Sequence, residues 1–146
     1  MKLFKIKLNF LIIYLFTSIG VGATSDTIKL FKNNQLVSEI DTIENNTFFS
    51  INDFLLSTNS KPYISEKTEK IVFYINNQKI KLTNGITFLL IDENIYQLSS
   101  KVVKQNNEYF VPIDSFLNIV NSSVKSMSII SDESKILISI KPNENN

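Results

Sequence analysis

Acidic side chains gather in three places along this sequence: Glu39, Asp41 and Glu44; Asp92 and Glu93; Asp132 and Glu133. Two carboxylates held across one cleft can break a glycosidic bond, one acting as acid and the other as base or nucleophile. A Ca²⁺ loop would also use such residues, but it needs alternating acids around a Gly, which Asp92-Glu-Asn-Ile-Tyr96 does not supply. All three groups fall at expected turns or strand ends, where carboxylates keep a loop solvated. Other chemistry is excluded by residue type. The sequence has no His, Cys, Arg or Trp. That removes the thiol nucleophile, the Ser-His-Asp triad, disulfide staples, and the usual zinc and copper ligands. It also removes the guanidinium fork that reads phosphate and guanine. The expectation is no catalytic residue, no cofactor and no metal.

Aromatic residues are the other candidates. Tyr63, Tyr74, Phe88, Tyr96 and Tyr109 could form a platform on which sugar rings stack. The competing reading is core and cross-strand packing. Ile86, Phe88 and Leu90 alternate with Thr87, Leu89 and Ile91, which predicts a strand buried on both faces. Asn45-Asn46-Thr47 and Asn121-Ser122-Ser123 match the glycosylation sequon, as an Asn-rich chain does by chance.

The first residues read as a targeting segment. Lys2, Lys5 and Lys7 precede an apolar run over 8–21, and Val21-Gly-Ala23 places small residues at −3 and −1 of a cut before Thr24. That is the three-part pattern of a secretory signal peptide. The run is shorter than the ~20 residues a membrane span needs. No Cys follows it, so there is no lipid attachment site. Membrane contact is expected only if this segment is retained. Removing 1–23 takes three of the 15 Lys and none of the 14 acids, leaving 12 Lys and a net charge of −2. Such a domain is a poor nucleic-acid binder and is not expected to carry a basic patch for anionic lipid.

The elements that must position these residues are mostly strands. Short apolar or alternating runs predict strands at Thr27–Lys32, Gln35–Ile40, Lys70–Ile75, Lys79–Thr83, Ile86–Asp92, Tyr96–Ser100, Lys125–Ile130 and Ser134–Ile140. The 22 Ile favour pleated surfaces over helices. Asn33-Asn34, Asn76-Asn77 and Asn106-Asn107 supply turns, because Asn tolerates the positive φ of tight hairpins. Two segments carry helical spacing. Ser50 and Asp53 form a capping-box arrangement ahead of Ile51, Phe54 and Leu55. Pro112 opens the second, Asp114 lies in its first turn, and Ile113, Phe116, Leu117 and Val120 make one buried stripe.

The two helical segments also match each other. Phe48-Phe-Ser-Ile-Asn-Asp-Phe-Leu55 aligns with Phe110-Val-Pro-Ile-Asp-Ser-Phe-Leu117, and Thr68–Ile75 aligns with Glu133–Ile140. The expected fold is α+β and β-rich: duplicated antiparallel hairpin units, each with one short amphipathic helix packed on the sheet. The chain is expected to be one domain over 24–146, built of pseudo-repeats at about 27–83 and 86–141.

This repeated unit resembles the N-terminal stalk domain of copper amine oxidases, a module of exported bacterial proteins. Asn106-Asn-Glu-Tyr-Phe-Val-Pro-Ile-Asp-Ser-Phe-Leu117 carries its motif, and Asn46–Leu55 is a copy without Pro. The leader, the module and Ile95-Tyr-Gln-Leu-Ser-Ser-Lys-Val-Val103 together are similar to the front end of certain bacterial N-acetylmuramoyl-L-alanine amidases. In those, a zinc hydrolase domain needing His and Glu ligands cuts peptidoglycan. With zero His, neither that catalysis nor amine oxidase copper chemistry carries over.

The resemblance implies an exported, non-catalytic module of the cell envelope, periplasmic or extracellular, not itself an enzyme. Peptidoglycan or an envelope protein is its expected partner. The alternative is the non-catalytic N-terminal region of a cell-wall amidase whose hydrolase domain is absent from this sequence.

Overall fold

The computed structural model describes residues 27–141, apart from 46, 126 and 133. The leader, with Val21, Ala23 and Thr24, lies outside the described residues. In chain order the elements are β1 (Thr27–Lys32), β2 (Gln35–Ile43), β3 (Phe48–Ser50), α1 (Ile51–Thr58), β4 (Tyr63–Ser65), a 3₁₀ turn (Glu66–Thr68), β5 (Lys70–Ile75), β6 (Gln78–Thr83), β7 (Phe88–Ile91), β8 (Asn94–Gln97), β9 (Val103–Gln105), β10 (Glu108–Pro112), α2 (Ile113–Ser123), β11 (Met127–Asp132) and β12 (Lys135–Ile140). The fold is α+β and β-rich.

The strands form two sheets. One has seven strands in the order β11-β12-β1-β2-β3-β10-β9, and the other has five in the order β4-β5-β6-β7-β8. Three of the hairpins turn where Asn pairs occur. Asn33/Asn34, Asn76/Asn77 and Asn106/Asn107 all hold φ between 47° and 66°. With only three Gly in the chain, Asn is the residue that takes this left-handed region at least steric cost. β1 and β12, far apart in sequence, pair in parallel from Lys29↔Lys135 to Lys32↔Ile138.

Four short strands add to the sequence reading: β3, β4, β9 and β10. β3, β4 and β9 are three residues each, too brief to show a period of their own, and β10 shows no alternation because four of its five residues are buried. The expected strand over 86–92 is trimmed to Phe88–Ile91 and is buried on one face only. Leu89 and Ile91 are buried, but Phe88 is 44 % exposed and Ile86 43 %. The reason is layering: an apolar run can be covered on both faces only if a second layer lies outside it, and none of the described elements does.

The helices cover the inner side. Ile51, Phe54 and Leu55 of α1, and Ile113, Phe116, Leu117 and Val120 of α2, are all buried. They belong to one contiguous core that also contains Ile71, Phe73, Ile80 and Leu89 of the five-stranded sheet. At its centre Phe49, Phe54 and Phe116 contact one another edge to face, with ring centroids 5.4 to 5.7 Å apart, the arrangement that ring quadrupoles favour.

The expected capping box does not form. Ser50 is the N-cap residue of α1, but its hydroxyl makes no capping bond. Instead Ser50 Oγ reaches Glu108 Oε2 at 3.4 Å, and Asp53 Oδ2 accepts from the Asp41 amide at 3.1 Å. Both side chains are recruited by strands packed beside the helix. Pro112 occupies the N-cap position of α2 and offers no side-chain acceptor. The first amide of that helix, Ile113 N–H, donates to Thr47 O at 3.0 Å, so one matched segment completes the helix start of the other.

Candidate functional site

β3 meets β10 at the junction of the two matched segments. The register is Phe48↔Pro112, Phe49↔Val111 and Ser50↔Phe110. In the sequence match Phe48 corresponds to Phe110, Phe49 to Val111 and Ser50 to Pro112. Exchanging every residue for its counterpart turns the Phe48/Pro112 pair into Phe110/Ser50 and returns Phe49/Val111 to itself, so Phe49/Val111 is the centre of a local two-fold arrangement.

A groove opens beside each end of this junction. One, of about 400 Å³, is lined by Glu44, Thr47, Phe48, Ser99, Pro112 and Asp114, among others. The second, of about 420 Å³, is lined by residues including Asp41, Ile43, Gln105, Glu108 and Phe110. Each holds two acids, set among hydroxyls and apolar walls in the first groove and joined by the Gln105 and Asn106 amides in the second. Asp53 borders the second groove through its bond to Asp41. Partial burial holds the Asp53 carboxyl above its ordinary range; the bond from the Asp41 amide opposes this, and the nearby Asp41 charge adds to it.

Of the other acids of the sequence reading, Asp92 and Asp132 serve turns, while Glu39 lies within β2 and not at the expected turn or strand end. Asp92 Oδ1 accepts from the Lys79 amide at 2.9 Å and its own N–H donates to Lys79 O at 2.7 Å, tying the β7–β8 turn to β6. Asp132 Oδ1 accepts from the Ser134 amide at 3.0 Å and from its hydroxyl at 3.3 Å. The amide bond holds the Asp132 carboxyl below its ordinary range. Glu133 lies outside the described residues. Among the described residues, no three His, Cys, Asp or Glu side chains converge as a metal site would require. Asn121 of the second sequon has a structural use: its Oδ1 accepts from the Ile129 amide at 2.7 Å, joining α2 to β11.

The five candidate aromatics separate. Tyr109 is fully buried on β10, its hydroxyl without a described partner. Burial, with Glu69 and Glu66 nearby, raises that phenol above its ordinary range. Tyr96 packs against the core from β8. Tyr63, Tyr74 and Phe88 instead share the outer face of the five-stranded sheet, at 71 %, 53 % and 44 % exposure. One cross-strand row on that face runs Tyr63↔Val72↔Lys81↔Leu90↔Ile95. Tyr74 stands opposite Lys79.

The lysines are the members that sequence reasoning missed. Lys79 and Lys81 alternate with buried Ile80 and Leu82, so the period-two signal put them outward. Which neighbours they would meet depended on register across five strands. The whole-chain charge balance conceals this gathering, because the compensating acids lie in loops and in the other sheet.

Residues 28–129 match the family model of the copper amine oxidase N-terminal domain. The chain belongs to that family. The match runs from β1 into β11 and takes in both grooves, both helices and the whole five-stranded sheet. No curated protein matches the chain. Copper, which the family's name brings to mind, favours imidazole and sulfur; the sequence has no His or Cys, and of its two Met, Met127 is packed into the core.

Proposed function

We propose that this chain is an exported, non-catalytic module of the cell envelope, periplasmic or extracellular, acting by binding or as a structural stalk. One observation carries the reading: a leader of signal-peptide pattern precedes a domain with neither His nor Cys. Family membership and the use of Asp92 and Asp132 as turn ligands support it. A metal that activates water needs fixed ligands and an open position. Peptidoglycan or an envelope protein is the proposed partner.

Mass spectrometry of the exported protein tests the export half; the expected N-terminus is Thr24, and an intact Met1 in the membrane fraction overturns cleavage. Purified sacculi test the other half, with no loss of turbidity expected, with or without Zn²⁺ or Cu²⁺.

A second reading rests on the segment Ile95–Val103, which is similar to the corresponding stretch of amidase front ends. Here it spans β8, a connection with Leu98 and Val102 buried, and the start of β9. In that reading the domain is the non-catalytic region of a cell-wall amidase. Amidase sequence in the same reading frame beyond Asn146 would favour it.

A further inference from the structure

The strands of the five-stranded sheet differ in charge from those of the seven-stranded sheet. The five strands contain no Asp or Glu, and their only charged residues are Lys70, Lys79 and Lys81. The acids of this region, Glu66, Glu69, Asp92 and Glu93, lie in the connections. Among the described residues, none of the three ammonium groups is in an ion pair. Lys81 is half-buried at the middle of its row, with Val72 and Leu90 directly opposite. Tyr74 and Phe88 stand at the diagonal positions on either side of it, within reach of a common occupant. The row ends in Tyr63 and Ile95, exposed by 71 % and 67 %. Five strands at about 4.8 Å spacing make it about 19 Å long.

We infer that the outer face of the five-stranded sheet binds an anionic glycan: a chain of sugar rings bearing carboxylate or phosphate groups. The inference rests on the binding-module reading above and names its surface and ligand class. An apolar protein partner would strip water from Lys81 and leave its charge unpaired, which is costly, and lysine is depleted from the cores of protein interfaces. A membrane would likewise press this central charge among apolar neighbours. An extended acidic peptide binds a sheet through its free edge, here β4 or β8, whereas Lys81 stands on β6, the central strand. A glycan meets every feature. The apolar faces of its rings lie on Tyr63, Tyr74 and Phe88. Its anionic groups meet Lys79 and Lys81, and its hydroxyls need only the open rim.

Affinity electrophoresis of the full chain in gels containing polygalacturonate tests this, with neutral dextran, polyglutamate and phosphatidylglycerol vesicles as comparisons. The expected result is retardation by polygalacturonate, weakened by salt, and none by dextran. Lys81→Gln should weaken it about tenfold, the scale of one lost charged hydrogen bond, and Tyr63→Ala should weaken it as well. Lys29→Gln, on the other sheet, should leave it unchanged. Circular dichroism keeps misfolding from passing as loss of binding, since Lys81 and Tyr63 both lie on the solvent side. No retardation, equal retardation by polyglutamate, binding to vesicles alone, or a dimer that Lys81→Gln dissolves would each overturn the proposal. The export and sacculus experiments are unaffected by any of these outcomes, so the module reading can survive the loss of this surface.

Discussion

The strands of the seven-stranded sheet mix Glu39, Asp41, Glu108 and Asp132 with Lys29, Lys32, Lys104 and Lys135, whereas those of the five-stranded sheet carry lysine alone. Both sheets give their inner faces to the same core. Stability is therefore a shared property, and the difference lies in what each sheet shows to solvent. The first ties its polar groups to its own frame, through Asp53 on Asp41 and Ser50 on Glu108. The second leaves its cations and rings without such ties. A face whose polar groups are already used internally has little left for a ligand, while the second face has donors and apolar rings to spare.

The most severe way to break this comparison is to remove the part both sheets depend on. Phe116→Ala and Phe54→Ala should each cost about 3–5 kcal/mol in chemical denaturation, through lost burial and the cavity left in the aromatic trio. A small loss from either would mean that the sheets do not share a core.

A smaller effect separates two turns of like sequence. Phe31-Lys-Asn-Asn-Gln35 and Tyr74-Ile-Asn-Asn-Gln78 have the same hairpin geometry. Only Gln78 acts as a clamp: its Nε2 donates to Ser123 O at 3.1 Å and its Oε1 accepts from the Lys125 amide at 2.6 Å. Gln78→Ala should cost about 1–2 kcal/mol, by leaving the end of α2 without these partners. Gln35→Ala, on an exposed turn, should cost less than about 0.5 kcal/mol. Equal costs would remove the distinction between the turns.

Asp114 tests the faces of α2. Its neighbour Ile113 is buried and Asp114 is exposed, so Asp114→Ala should cost under about 1 kcal/mol, the loss of a favourable charge near a helix N-terminus. Thermal denaturation beside Phe116→Ala would show the contrast.

The smallest effect is a pH dependence. The Asp53 carboxyl is held above its ordinary value of 3.8 in the fold. The protonated form is favoured by folding, so its contribution is greatest below 3.8 and is lost as pH rises through the elevated value. Asp53→Asn keeps an oxygen for the Asp41 amide and should raise stability at pH 7 by a few tenths of a kcal/mol, given solvent screening. The gain should disappear below pH 3.8. An unchanged difference across that range would refute the burial argument.

Much of the frame was legible along the chain. Thr27–Lys32 and Lys70–Ile75 could be delimited from alternation alone, because a half-buried strand repeats every two residues. The Asn pairs marked three hairpins, since few other residues accept positive φ. The stripes of Ile51, Phe54 and Leu55, and of Ile113, Phe116, Leu117 and Val120, marked both buried helix faces. β3 and β9, at three residues each, left no such trace. Ser50 and Asp53 misled, because local spacing cannot report a competing partner such as Glu108, 58 residues away.

The candidate surface divides in the same way. Alternation along β6 determined that Lys79 and Lys81 face outward together, and composition determined that no His, Cys or Arg would accompany them. That Lys81 stands between Val72 and Leu90, with Tyr63 and Ile95 at the ends of the row, was decided by the register of five strands drawn from residues 63–97. A one-residue slip in any pairing would turn that strand's other face outward. Such pairings are selected by burial of the common core, which the sequence near any one strand does not contain.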